Sequence, residues 1–113
     1  MHELSITENI LRIALAQAQA HQAHRVKAVR LKVGEWSAVV PDCVEFYFAL
    51  IAQGTIAEQA RLEIEVVPLR ARCRKCHHEF DPKTASFACP QCGSSEIALE
   101  SGRELEVESI EVE

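Results

Sequence analysis

Ile10, Leu11, Ala14, Leu15 and Ala18 recur at intervals of three and four residues, which places them on one side of a helix. Ahead of them, Ser5-Ile6-Thr7-Glu8 reads as a capping box with Ser5 as N-cap. The pattern predicts a helix from about Ile6 to about Gln22, with His21 and His24 near its last carbonyls. The period then changes. Val29, Leu31 and Val33 alternate with Arg30 and Lys32, a strand over 26–33 that Gly34 closes. Pro41 suits the first turn of a second helix, and Gly54 is a candidate C-terminal cap. That helix carries Val44, Tyr47, Phe48 and Ile51 on one side, and its Cys43 is expected to be a small buried core residue. A second strand alternates Leu62, Ile64 and Val66 with Glu63 and Glu65, up to Pro68. A last strand alternates Leu105 and Val107 with Glu104, Glu106 and Glu108.

Residues 70–95 break this rhythm: they hold four of the five cysteines and an excess of Arg and Lys. The expected fold is α+β, two helices on one face of a three-stranded sheet, with an inserted four-cysteine zinc-ribbon module. The expected domains are 1–69 plus 100–113, and 70–99. Opposite charges favour placing the strand with Arg30 and Lys32 between or beside the Glu-bearing strands.

A chain of 113 residues has room for one compact domain, or a small domain and a stapled module. Many of its apolar residues are Ala and aromatics are only 5%, so the core is modest and a second means of stabilisation is expected. A net charge of −5 argues against a nucleic-acid-binding protein. The longest apolar run, Phe46 to Ala52, is far too short to span a membrane. The first residues show no basic segment followed by an apolar one, so the cytoplasm is the expected compartment. Cysteines there stay reduced.

Cys73-Arg-Lys-Cys76 and Cys89-Pro-Gln-Cys92 are two C-x2-C pairs twelve residues apart. Each pair closes a knuckle that aims two thiolates at one ion, and two knuckles complete a tetrahedral site best suited to zinc, with mononuclear iron second. Four protein ligands leave no open position, so the ion is structural rather than catalytic. Arg70, Arg72, Arg74 and Lys75 lie close enough in sequence to offset the negative charge of the centre. His77 and His78 read as an exposed pair, with a change of ligand as the alternative.

Composition alone leaves His2 a solvated terminal residue. Its position offers a second reading: the Met1 amine, the amides of His2 and Glu3 and the imidazole form a compact nitrogen set of the kind that favours Ni(II) or Cu(II) over Zn(II).

Together, Met-His-Glu-Leu-Ser at the start, Val33-Gly34-Glu35 followed by Pro41, Leu62-Glu-Ile-Glu65 with Val67-Pro68, the two knuckles and Gly102-Arg-Glu-Leu105 resemble the HypA/HybF family of nickel-insertion proteins for NiFe hydrogenase maturation. The resemblance covers essentially the whole chain. It implies a nickel metallochaperone rather than an enzyme, with Ni(II) as cargo on His2, aided by the Met1 amine and the backbone around Glu3. It also implies structural Zn(II) on Cys73, Cys76, Cys89 and Cys92, and as partners a HypB-type GTPase and the hydrogenase large-subunit precursor. Some relatives also serve urease. Trp36 stands where a smaller aliphatic residue is expected, a change of local surface that touches no metal ligand. Exposed strand edges permit a homodimer. Two rival classes are weaker: a zinc-ribbon nucleic-acid adaptor is opposed by the acidic total, and a zinc hydrolase by the lack of an open metal position.

Overall fold

The nine-residue strand β1 (Val26–Gly34) is the centre of the larger of two three-stranded sheets. The computed structural model describes residues 2–113, with residue 2 as backbone only. In chain order the elements around β1 are α1 (His2–Ala20), α2 (Pro41–Ile51), β2 (Arg61–Val67), β3 (Arg70–Cys73), β4 (Glu79–Phe80), β5 (Ile97–Ser101) and β6 (Leu105–Val112). The larger sheet runs β2-β1-β6 and the smaller β4-β3-β5. β1 pairs parallel with β2 and antiparallel with β6. The architecture is the expected α+β one, with the basic strand between the two acidic ones: Arg30 lies opposite Glu63, and Lys32 opposite Glu65 and Glu106.

Both helices cover one face of this sheet. Ile10, Leu11, Ala14 and Ala18 of α1 and Val44 and Phe48 of α2 share a core with Val29, Leu31 and Val33. Leu62, Ile64, Val107 and Ile110 close its sides. The other face is charged. Arg30 reaches Glu63 at 2.9 Å and Glu111 at 3.2 Å, and Lys32 reaches Glu108 at 3.2 Å. Exposed pairs of this kind contribute about 0–1 kcal/mol each, whereas burying one Leu or Phe contributes roughly 1.5–3 kcal/mol, so the helix-covered face carries the stability.

Five local expectations are corrected. Ser5 is not an N-cap, because α1 already begins at His2. A cap contributes only about 1 kcal/mol, which an extra turn carrying the acidic Glu3 against the helix dipole can outweigh. At the other end, neither His21 nor His24 caps the helix. Gln22, at φ 54, turns the chain left-handed, while the Ala23 amide donates to the Ala18 carbonyl at 2.9 Å and the Gln22 amide to Gln19 at 3.0 Å, a Schellman closure. Cys43 is exposed rather than buried. Val44 and Phe48, four apart, take the core side of α2, and this turns Cys43 outward with Phe46 and Leu50, three and seven residues on. Val66 is also exposed, on the sheet-edge strand β2. Pro41 does open α2, but its C-cap is Ala52; Gly54, at φ 81, lies in the turn beyond.

The two sheets meet where three chain segments cross. The Trp36 amide donates to the Gly102 carbonyl at 2.6 Å, the Gly34 amide to Glu104 at 2.6 Å and the Glu35 amide to Val67 at 2.8 Å. A Cβ on Gly34 would lie 2.2 Å from the Gly102 carbonyl carbon. A Cβ on Gly102, itself at φ 111, would lie 2.6 Å from Leu69 Cα. Only glycine permits this approach. Gly34→Ala is therefore expected to force the crossing apart and cost roughly 1–3 kcal/mol, read as a lowered denaturant midpoint.

Candidate metal centre

The smaller sheet has little to hold it together. Its buried cluster is Ala71, Cys73, Phe80 and Cys89, with Ala85, Ile97 and Leu99 packed partly against it. Arg72 ties its three strands, pairing with Glu79 of β4 at 3.1 Å and Glu100 of β5 at 2.9 Å. That guanidinium is thus engaged by carboxylates rather than reserved for the cysteine site.

The knuckles leave this sheet as near copies of each other. In the first, the Cys73 amide donates to the His78 carbonyl at 2.9 Å and the His77 amide to the Cys73 carbonyl at 3.0 Å. In the second, the Cys89 amide donates to Ser94 at 2.8 Å and the Gly93 amide to Cys89 at 2.8 Å. His77, at φ 65, therefore occupies the left-handed position that Gly93 fills at φ 78. Both imidazoles are exposed, and His78 stacks on Phe80 with ring centroids 6.1 Å apart. A residue chosen for its backbone position is best tested with glycine. His77→Gly is expected to leave metal uptake intact and to shift stability by no more than about 1 kcal/mol, measured by thiolate–metal absorbance and denaturant melts.

The four sulfurs of Cys73, Cys76, Cys89 and Cys92 lie within 4.8 Å of one another. Cys73–Cys92 and Cys76–Cys89 are each 3.5 Å apart. A tetrahedron of thiolates bonded at about 2.3 Å has edges of roughly 3.8 Å, so the donor set fits zinc in number, softness and size. Backbone amides favour the thiolate form: Lys75 N–H points at Cys73 Sγ at 3.4 Å, Cys76 N–H at Cys73 Sγ at 3.5 Å and Cys92 N–H at Cys89 Sγ at 3.5 Å.

The same crowding divides the four groups. The Cys76 amide above all, with the Lys75 amide, draws the Cys73 thiol down to about 6. At Cys76 the His78 amide pulls downward, but desolvation and the neighbouring sulfurs outweigh it and push the thiol up to about 12. Desolvation opposes ionisation of Cys89, yet the Cys92 and Gln91 amides lower it. At Cys92 the Ser94 amide is outweighed by Cys73 and by desolvation, and the thiol is raised. In each knuckle one thiol is lowered and the other raised. Four thiolates packed this closely call for a cation.

At the opposite end of the chain, Met1 and the His2 side chain lie outside the described residues. Residues 2 and 3 form the first turn of α1. There no preceding carbonyl accepts their amides, so nitrogen ligands can be drawn from them without breaking the helical ladder. The Glu3 carboxyl is held below its usual range by its own amide and, less strongly, by the Val40 amide at the start of α2.

Between the two sheets the structure brings together groups that the sequence pattern did not single out. Glu35 Oε1 accepts from the Leu69 amide at 2.8 Å, and Glu35 Oε2 pairs with Lys83. The Trp36 and Phe87 rings pack 5.3 Å apart. The one available signal was Trp36 itself, the sole tryptophan of the chain.

Comparison with known proteins agrees with this picture. A family model described as hydrogenase/urease nickel incorporation, metallochaperone, hypA matches residues 1–112. The hydrogenase maturation factor HypA of Geobacter sulfurreducens is 43% identical over 113 residues, covering all of both chains. That of Azotobacter chroococcum is 42% identical over the same length. A HypA solution structure superposes with a TM-score of 0.78 at 25% identity, covering 99% of this chain and 96% of that one. The solution structure of the Ni metallochaperone HypA from Helicobacter pylori shares the fold, with a TM-score of 0.69 at 24% identity over 97% of this chain and 96% of that one.

Proposed function

From a chain that belongs to the HypA family of hydrogenase nickel-incorporation metallochaperones, we propose a protein that carries Ni(II) on its N-terminal segment and helps insert it into the NiFe hydrogenase large subunit. His2 supplies the imidazole, and the Met1 amine with the amides of His2 and Glu3 supply the remaining nitrogens. Cargo must be held and then surrendered. Ligands at a chain end serve both needs, since a receiving site can replace them one at a time. The observation that carries this reading is the family match over residues 1–112, on a sequence that opens Met-His-Glu.

Zn(II) is the ion we assign to Cys73, Cys76, Cys89 and Cys92, where bound metal would supply the folding energy that the small ribbon core lacks. The nickel lobe comprises residues 1–69 with 100–113, and the ribbon 70–99, with β5 straddling the second boundary. The role is delivery, not turnover. Its partners are a HypB-type GTPase and the large-subunit precursor, and its compartment is the cytoplasm.

The reading is tested by calorimetric titration of untagged, zinc-loaded protein with Ni(II) near neutral pH. Stoichiometric uptake with zinc retained is expected. Retained zinc without nickel uptake would overturn the proposal.

A further inference from the structure

The groups between the two sheets do more than fill space. Trp36 and Phe87 are each substantially exposed, at 45% and 40%, yet their rings meet across the two lobes. One residue away, Glu35 holds both the Leu69 amide at the entry to the ribbon and the Lys83 ammonium in the segment before the second knuckle. Both contacts on the ribbon side thus fall in the short stretch 81–88.

That stretch is wound tightly. Ser86 and Phe87 take φ 54 and φ 60, consecutive left-handed conformations that cost energy in residues with a Cβ. They are fixed from both sides. The Phe87 amide donates to the Pro82 carbonyl at 2.8 Å, and the Ala88 amide to Ala85 at 3.1 Å. Cys89, two residues after Phe87, is buried in the ribbon core. A strained turn persists only while its surroundings over-determine it. Here the surroundings include a knuckle whose shape a metal would hold.

We propose that Glu35–Lys83 and Trp36–Phe87 form a latch between the lobes, closed while the four-cysteine site is loaded and open when it is empty. Closed, the latch makes the two lobes one body. Open, the ribbon is released from the larger lobe, swinging about the Gly34–Gly102–Leu69 crossing wherever it stays folded, and Trp36 loses its aromatic partner. The inference rests on the ribbon reading above, because loading is what sets the latch. Acid acts on the closed form in a definite direction. Lys83 holds the Glu35 carboxyl below its ordinary 4.5, so the ion pair persists through neutrality and is lost only as the pH falls through that lowered value.

The test uses the full chain, Zn(II)-loaded and metal-free, alongside a Lys83→Met/Phe87→Ala double variant that leaves all four cysteines in place. Nitrogen-15 relaxation gives separate tumbling times for the two lobes, and emission from the single tryptophan reports on Trp36. The loaded wild type is expected to tumble as one unit with blue-shifted emission. The metal-free chain, whose ribbon sheet melts, is expected to show a red shift and fast local motion across residues 70–99. The loaded double variant should keep stoichiometric zinc yet show the same red shift and independent ribbon motion. If it keeps its zinc and its lobes still tumble together, the latch is refuted and the metal reading stands. If the wild-type lobes already tumble independently with zinc bound, the latch is refuted as well. A wild type that takes up no zinc would instead refute the metal reading.

Discussion

Replacing His2 by Ala should reduce Ni(II) affinity by more than about 100-fold while leaving zinc content and fold untouched. Losses in the outer shell of a metal site already cost 10–100-fold, and an imidazole bonded to the ion must cost more. The four-cysteine site is separate in sequence, and α1 keeps its core residues Ile10, Leu11, Ala14 and Ala18 in the variant. A companion experiment isolates the amine. Two residues added before Met1 move the α-amino group away while His2 stays in place, and nickel affinity should again fall. Calorimetry on native, extended and His2→Ala proteins separates the contributions. Equal affinity in native and extended forms would remove the amine from the ligand set, and equal affinity in His2→Ala would remove the imidazole. Acid should weaken binding in all three, because protons compete for each nitrogen.

Stripping the metal from the four-cysteine site should melt the β4-β3-β5 sheet while the α1–α2 lobe stays folded. The ribbon's buried hydrophobic cluster holds only four residues, two of them cysteines, too few to repay the entropy of ordering its loops. Structural zinc in comparable small modules contributes on the order of 10–16 kcal/mol, so its loss decides the outcome. Hydrogen exchange after chelation should show protection lost across residues 70–101 and kept across α1, α2 and β1. Cys76→Ser should produce the same pattern in a milder form, with zinc affinity lowered by orders of magnitude.

The pH dependence of metal binding follows from the four thiols. At pH 7, Cys73, drawn down to about 6, is already mostly thiolate. Cys76, pushed up to about 12, holds its proton, and Cys92 is raised as well. Binding must therefore expel at least the protons of Cys76 and Cys92 near neutrality, and apparent affinity should rise at least about 100-fold per pH unit. Below about pH 6 the Cys73 thiolate is lost too, and the dependence steepens. Calorimetry in buffers of different ionisation enthalpy counts the protons directly.

The parts of the fold legible in sequence are those where one period or one spacing dominates. Alternation in β1 and β2, Pro41 at the head of α2 and the twin C-x2-C pairs each carry a local signal that tertiary contacts reinforce. The expectations that failed lie where two local preferences compete. Ser5 offered a cap, but the chain gains a further helical turn by passing it, and Gln22 closes α1 left-handed where glycine would be the usual marker. Cys43 sits one position from the core stripe, and a helix turns by about 100° in that single step. The latch residues carried no periodic signal at all. Glu35 and Lys83 are ordinary surface charges until the crossing of Gly34 over Gly102 brings their segments together. A contact of that kind depends on Gly34 meeting Gly102, 68 residues further on.

The crossing has a further consequence for how this molecule can be rebuilt. Leu69 and Gly102 touch where the chain enters and leaves the ribbon, so everything between them is a cassette whose two ends already lie side by side. A short turn joining those ends, or a foreign module with closely spaced termini, could be spliced in without altering the distance that β6 must cover to reach β1. The α1–α2 lobe could then be produced alone, and its affinity for Ni(II) compared directly with that of the complete chain.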